Sequence, residues 1–146
     1  MKAGAKNIEL LAIDANPIIA ALLGGKAKKV ILRLASSGSQ LITTEWNAAE
    51  VREYIPALSR QYHLNMDDLY DELIALPIAI APRSEYEDQM PDALARIGSI
   101  DKDDADLLAL ALKQKCPIWT NDSDFTDPRV NVQIYKTADL IELLAI

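Results

Sequence analysis

The hydrophobic positions of this chain form short continuous runs separated by longer segments with helical spacing. The run Ile8–Ile13 is typical of a strand covered on both faces, and Asn16-Pro17 soon after it favours the start of a helix. Similar short apolar runs predict four further strands, at residues 40–43, 78–81, 117–120 and 132–135.

The segments between these runs are predicted to be helical. One of them, residues 44–59, carries the stripe Val51, Tyr54, Ile55 and Leu58. The other predicted helices run from Pro17 to Gly24-Gly25 and over residues 26–36, 65–76, 84–97 (interrupted near Pro91), 104–115 and 138–144. Strands that alternate with helices predict a parallel sheet covered on both faces. We therefore expect one α/β domain over residues 1–146, with three layers (α/β/α) and a five-stranded, mostly parallel central sheet.

The composition is that of a globular protein, since half of the 146 residues are hydrophobic. The formal net charge of −7 gives no overall attraction to nucleic acid, so any such contact must use local basic positions. Cys116 is the single cysteine, which excludes an internal disulfide and suggests a reducing compartment. The apolar stretch near the N-terminus, about six residues long, is too short for a signal peptide or a membrane span. We therefore predict a cytoplasmic protein without membrane contact.

Two acidic residues follow predicted strands. Asp14 ends the first strand, and Asp122 comes just after the fourth. In open α/β sheets, functional sites lie beyond the carboxyl ends of the strands, where both residues are expected. Taken singly, each is more simply a turn former whose carboxylate accepts hydrogen bonds from nearby backbone N–H groups.

A third acid is predicted on the apolar face of a helix. Asp104 shares its face with Leu107, Leu108 and Ala111, where an unpaired carboxylate is costly to bury. The alternative is a capping box, with Asp101 at the N-cap and Asp104 as its partner. That alternative does not explain why the acid lies on the apolar stripe.

Neighbouring acids face other directions on an ideal helical wheel. Asp106 is about 160° from Asp104 and is predicted to face solvent, whereas Asp103, about 100° away, is marginal. In the helix with the Val51 stripe, Glu50 lies at the edge of the stripe and could reach inward. Taken singly, it is more simply an ordinary residue at the border between the buried and exposed faces. Glu53 is expected to be solvated.

Four acids, Asp14, Glu50, Asp104 and Asp122, can converge at one edge of such a sheet. Clustered carboxylates raise one another's pKa unless a cation lies among them, and oxygen-only ligands favour Mg²⁺ or Mn²⁺. One cysteine and one histidine, the latter (His63) expected at the surface, make neither a tetrahedral zinc site nor a convincing nucleophile–histidine pair. The glycines of "LLGGKAKK" lack the spacing of a phosphate loop. Carboxylates with Mg²⁺ are typical of phosphoryl chemistry.

These acids and their surroundings resemble the PIN domain, a small metal-dependent ribonuclease fold that includes the VapC toxins. The matching segments are "LLAIDANPIIAALL" around Asp14, "TTEWNAAEVREY" around Glu50, "DADLLALA" from Asp104, and "PIWTNDSDF" around Asp122. The final "VQIYKTADLIELL" is similar to the family's closing strand and helix. Each motif is short, but their order along nearly the whole chain is fairly specific.

The resemblance implies an endoribonuclease that cleaves RNA with one or two Mg²⁺ or Mn²⁺ ions and without a protein nucleophile. The four acids are then catalytic and bind the metal. Asn16 and Thr120 resemble polar residues that line such sites, and Asp124 is a candidate for a second cation or for contact through water.

The resemblance also implies partners. The candidates for RNA contact are Lys26, Lys28, Lys29, Arg33 and Arg52, each of which is more simply part of a solvated face. Pairs of protomers joined through helices are typical of the family, which implies a homodimer. A toxin role with an antitoxin partner is not encoded in these motifs and is an additional hypothesis.

Three other functions stay open at this point. A receiver-like phosphoacceptor domain has an Asp cluster on a parallel sheet, but here "IAIAPRS" has no Asp after the third strand, and Lys136 alone fits. A hydrolase with an Asp nucleophile of the D-x-D type would need an acid at Asn16. A PIN fold that has lost its activity and only binds partners is excluded by nothing in the sequence.

Overall fold

The computed structural model describes residues 8–146, so the first seven residues of the chain lie outside the described range. Within it, the five predicted strands are present. Strands β1 to β5 are Leu10–Ile13, Gln40–Thr44, Ala79–Ala81, Ile118–Trp119 and Ile134–Tyr135. They form one sheet in the order β3-β2-β1-β4-β5, and every pairing is parallel. The predicted five-stranded parallel sheet is confirmed.

The helices follow the predicted order. Helices α1 to α7 are Ala15–Leu22, Lys26–Ser36, Glu45–Tyr62, Met66–Ala75, Met90–Ile97, Ala105–Gln114 and Thr137–Leu144. Gly24 and Gly25 separate α1 from α2 with φ values of 83° and 79°, a backbone region that favours glycine. Among residues 8–146, no helix is both long and apolar enough to cross a bilayer.

In two predicted helices, the first residues form 3₁₀ turns rather than α-helix. The segment predicted over 84–97 consists of two 3₁₀ turns, Arg83–Glu85 and Glu87–Gln89, before α5. Pro91 lies in the first turn of α5, where its missing N–H costs no hydrogen bond. A third 3₁₀ turn, Lys102–Asp104, precedes α6. Asp104 is therefore the residue before α6 rather than a member of its first turn.

The helices cover both faces of the sheet. Leu11 and Ile13 of β1 pack in a core with α1, α2, α3, α4 and α7, whereas Ala12 packs on the opposite side with α5 and α6. This alternation follows from the two-residue period of a strand. The three-layer arrangement is confirmed.

The predicted stripe of α3 is only partly buried. Val51, Ile55 and Leu58 are buried, but Tyr54 is 48% exposed, so its predicted place in the core is wrong. The face that α3 turns towards α1, α4 and β2 is narrower than the predicted stripe. His63 is exposed, as expected, and ends α3 with a left-handed backbone conformation.

The strand order determines where a site can form. β1 has β2 on one side and β4 on the other, so the order of winding reverses between β1 and β4. Such a reversal opens a crevice beyond the carboxyl ends of the two strands. Asp14 directly follows β1, and Thr120 directly follows β4.

Candidate functional site

The carboxylate of Asp14 is buried at the end of β1. Its backbone N–H donates to the Trp119 carbonyl at 2.9 Å, which places it beside the end of β4. Its side chain accepts hydrogen bonds from the Ala15 N–H and the Thr120 hydroxyl, both at 2.7 Å. Burial nevertheless raises the pKa of Asp14. The two hydrogen bonds oppose this rise, and the negative charge of Asp122 adds to it.

The Thr120 hydroxyl connects Asp14 to Asp122. It is fully buried, donates to Asp14 and accepts from the Asp122 N–H at 3.0 Å. The Asp122 carboxylate in turn accepts from the Asp124 N–H at 2.9 Å, so the chain turns directly after β4. Thr120, expected to line the site, thus contacts two of the predicted acids through hydrogen bonds.

Thr44 and Asn47 hold Asp14 from the other side, and sequence reasoning missed both. Thr44 caps α3: its hydroxyl accepts from the Asn47 N–H at 2.9 Å and donates to Asn47 Oδ1 at 2.6 Å. Asn47 Nδ2 donates to Asp14 Oδ1 at 3.3 Å. The signal that could have found them is a Thr three residues before a polar side chain at a helix start.

The carboxylate of Asp104 lacks the partners that buried acids normally have. Its Oδ2 atom is buried and has no hydrogen-bond partner among residues 8–146. The Asp101 N–H donates to the Ile97 carbonyl rather than to the Asp104 carboxylate, so the predicted capping box does not form and does not account for Asp104. Burial first, and then the charges of Asp122, Asp101, Asp14 and Asp124 in that order, together raise the pKa of Asp104 to about 8.

Asp101 is a further acid of the site, considered earlier only as a cap. It does cap the 3₁₀ turn before α6, accepting from the Asp103 N–H at 3.0 Å. Yet Asp101, Asp104 and Asp124 each offer a carboxylate oxygen, and these atoms lie within 4.8 Å of one another. Among the described residues no other three acidic, His or Cys side chains come this close.

These residues surround a pocket of about 320 Å³. Seven of its ten lining residues are acidic; the full lining is Asp14, Asn16, Trp46, Ala49, Glu50, Glu53, Asp101, Asp103, Asp104 and Asp122. The four predicted acids and Asn16 are thus brought together. Glu53, predicted to be solvated, is exposed but also lines the pocket. Partial burial, followed by the charge of Asp14, raises the pKa of Glu50.

The donor set fits a hard divalent cation. Several acids line the pocket with Asp104, whose buried Oδ2 atom has no hydrogen-bond donor within residues 8–146. No Lys or Arg of that range lines the pocket to neutralise them. Oxygen ligands of this kind suit Mg²⁺ or Mn²⁺.

A family model described as the PIN domain matches residues 12–140 of the chain. The chain belongs to the PIN domain family. The receiver-like and D-x-D alternatives are therefore set aside. No curated protein sequence gives a significant match to the chain.

Solved structures share the fold of this PIN domain. VapBC2 from Rickettsia felis, bound to a promoter DNA fragment, is 11% identical with a TM-score of 0.69, covering 87% of this chain and 98% of that one. VapBC-1 from nontypeable Haemophilus influenzae is 15% identical with a TM-score of 0.64, covering 88% and 98%. PAE2754 from Pyrobaculum aerophilum is 17% identical with a TM-score of 0.63, covering 99% and 94%. At these identities the likeness is one of fold.

The predicted solvent exposure of Asp106 is wrong. Asp106 is 7% exposed, accepts a hydrogen bond from the Tyr86 hydroxyl at 2.5 Å, and lies 3.9 Å from Arg83 Nη1. The helical wheel assumed that α6 has a solvent side near its start. In this PIN domain every residue from Ala105 to Ala111 is buried, because the sheet, α5 and the preceding 3₁₀ turns surround α6.

The five basic candidates for RNA contact lie outside the pocket lining. Lys28 pairs with Glu72 at 2.9 Å, and Arg33 donates to the Leu144 carbonyl at 3.3 Å, so both connect helices of the PIN domain. Lys26, Lys29 and Arg52 are exposed. Their role in binding RNA stays a prediction.

Proposed function

We propose that this PIN domain is a metal-dependent endoribonuclease that hydrolyses RNA phosphodiester bonds at the acidic pocket. The observation that carries the proposal is the buried Asp104 Oδ2 atom, which has no hydrogen-bond partner among residues 8–146 and is surrounded by other carboxylates. A carboxyl in that setting is either protonated or bound to a cation. Mg²⁺ or Mn²⁺ is the cation that suits these oxygens.

The acids have distinct places in this proposal. Asp14, Asp104 and Asp122 hold the cation, and Glu50 joins them directly or through water. A bound cation would stabilise charge on the phosphodiester and activate water for attack. The hydroxyl of Thr120 orients the Asp14 carboxylate through its hydrogen bond.

The geometry adds Asp101 to this set and supports Asp124. Carboxylate oxygens of Asp101, Asp104 and Asp124, one from each, lie within 4.8 Å of one another, which makes Asp101 and Asp124 candidates for the same cation or for a second one. Titration of the protein with Mn²⁺ would give the number of ions bound. One ion per chain would indicate a single shared site, and two ions would indicate a second site among these acids.

The proposal extends to partners. Similar folds occur in VapBC2 from Rickettsia felis and in FitAB, which supports a toxin role with an antitoxin bound to this chain. A homodimer and a cytoplasmic location belong to the same proposal. Gel filtration with light scattering tests the dimer, and co-purification with the product of a neighbouring reading frame tests the antitoxin.

The decisive experiment is cleavage of single-stranded RNA in Mg²⁺, in Mn²⁺ and in EDTA. Wild type should cleave only with a cation, and Asp104→Asn should lower turnover about a hundredfold or more. Asp71→Asn is the matched control, because Asp71 is an exposed acid of α4 outside the pocket lining. Equal cleavage in EDTA would contradict the proposal. Binding of Mn²⁺ without cleavage of any RNA would instead identify a PIN fold that only binds.

A further inference from the structure

Trp46 is half exposed at the acidic pocket. It is 50% exposed, lies in the first turn of α3 and lines the pocket with the carboxylates. Glu50 and Glu53 follow it at i+4 and i+7, so the three side chains share one face of the helix. The other tryptophan, Trp119, is fully buried in the core. Packing in the core explains Trp119 but does not explain an indole ring left at the mouth of a polar pocket.

The charge of the pocket limits how RNA can be held there. Its lining carries seven acids and, within the described chain, no Lys or Arg. A phosphodiester is repelled by this surface except where a cation neutralises it. Further affinity close to the pocket must therefore come from a neutral part of the substrate. The base is that part, and an aromatic ring binds it by stacking without regard to its identity.

We propose that Trp46 is a stacking platform for an unpaired nucleobase beside the acidic pocket. The proposal rests on the proposed function and adds a side chain that binds the substrate. A base within a duplex is already stacked on its neighbours and cannot reach the indole ring. Asn16 lines the same pocket, and its side-chain amide has both a hydrogen-bond donor and an acceptor.

The two tryptophans make the proposal measurable by fluorescence. Short random-sequence single-stranded RNA, added with Ca²⁺, should quench the emission of wild type. The same RNA should leave Trp46→Phe unchanged, because its remaining tryptophan is the buried Trp119. A fully paired duplex of the same length should quench much less. Quenching that persists in Trp46→Phe, or that is equal with the duplex, would contradict the proposal.

Cleavage kinetics in Mg²⁺ provide the second arm. Trp46→Ala should raise KM between about tenfold and a hundredfold with a smaller change in kcat, and Trp46→Phe should lie between it and wild type. Tyr54→Ala is the matched control: Tyr54 is 48% exposed, lies on the same helix about 12 Å along its axis, and is outside the lining. Its KM should stay within about twofold of wild type.

The outcomes separate this inference from the proposed function. If wild type cleaves RNA and Trp46→Ala has the same KM, the stacking site is wrong and the nuclease stands. If no RNA is cleaved with any cation but single-stranded RNA still quenches Trp46, the nuclease is wrong and the stacking site stands. If Trp46→Ala abolishes self-association in gel filtration while KM is unchanged, Trp46 is a protein contact and the inference is overturned.

Discussion

The hydroxyl group of Thr120 contacts two of the acids in the pocket at once. It donates to Asp14 Oδ2 and accepts from the Asp122 N–H, and it is fully buried. A buried hydroxyl in this position stabilises both the turn after β4 and the orientation of the Asp14 carboxylate. Removal of the hydroxyl alone therefore tests how much of the pocket depends on it.

Thr120→Val removes this hydroxyl with little change in volume. We expect the free energy of unfolding to fall by about 1–3 kcal/mol, since Asp14 loses a donor and the Asp122 N–H loses an acceptor. The affinity for Mn²⁺ should weaken by about tenfold or more, because the ligand is no longer oriented. Urea denaturation in EDTA and Mn²⁺ titration measure the two effects.

Thr126→Val is the control for that change. Thr126 is exposed, outside the pocket lining, and its hydroxyl donates to the Ser123 carbonyl at 2.6 Å. Its replacement should cost well under about 1 kcal/mol and leave Mn²⁺ binding unchanged. If Thr120→Val behaved in the same way, the hydroxyl would have no role in the pocket.

The start of α6 is held by the segment that precedes α5. Tyr86, between two 3₁₀ turns, donates to the buried carboxylate of Asp106, two residues after Asp104. Burial and the adjacent Asp106 raise the pKa of Tyr86 well above its ordinary value, so the hydroxyl stays a donor throughout the neutral range. Because Asp106 is buried and hydrogen-bonded in this way, Asp106→Asn would disturb the start of α6 and cannot serve as a control for Asp104→Asn.

Tyr86→Phe tests this connection between elements. The change leaves Asp106 buried without its 2.5 Å donor and with Arg83 at 3.9 Å as its remaining cation in the described chain. We expect a loss of about 1–3 kcal/mol in the free energy of unfolding, measured by urea denaturation. Tyr62→Phe, at an exposed tyrosine near the end of α3, should change stability by less than about 0.5 kcal/mol. Equal stability of both variants would show that the Tyr86 hydroxyl contributes nothing.

For the molecule as a whole, the acidic pocket lowers stability when no metal is bound. The pKa of Asp104 is about 8 in the folded chain against an ordinary value of 3.8, so the folded state binds its proton more tightly than the unfolded state. The associated stability is fully present below about pH 4 and is lost as the pH rises through about 8. Asp14 and Glu50, whose pKa values are also raised, act in the same direction.

We therefore expect the free energy of unfolding in EDTA to fall between about pH 4 and about pH 8. Asp104→Asn should reduce this slope and be at least as stable as wild type at the upper end, because one like charge leaves the pocket. Urea titrations at several pH values measure the slope. An identical slope in Asp104→Asn would show that this carboxyl is not the group responsible.

Mn²⁺ should reverse the same destabilisation. A ligand that binds only the folded state raises the melting temperature, so wild type and Asp71→Asn should both gain from Mn²⁺ near neutral pH. Asp104→Asn should gain much less. If Mn²⁺ raised the melting temperature of Asp104→Asn as much as that of wild type, the cation would bind elsewhere.

The sequence by itself determined the elements and the places of two acids. Alternating apolar runs and helical stripes were enough for the five strands, their parallel arrangement and the two covered faces, because these depend on local periodicity. Asp14 and Asp122 were expected at the carboxyl ends of β1 and β4 for the same reason, and both line the pocket.

Only the tertiary structure decided which polar side chains are buried and what they contact. A helical wheel assumes one solvent side, and Asp106 violated that assumption because α6 is enclosed on every side over its first two turns. Asp101 approaches Asp124, and Asn47 approaches Asp14, across long stretches of sequence. No local pattern encodes such distances, because they arise when separate elements pack at one edge of the sheet.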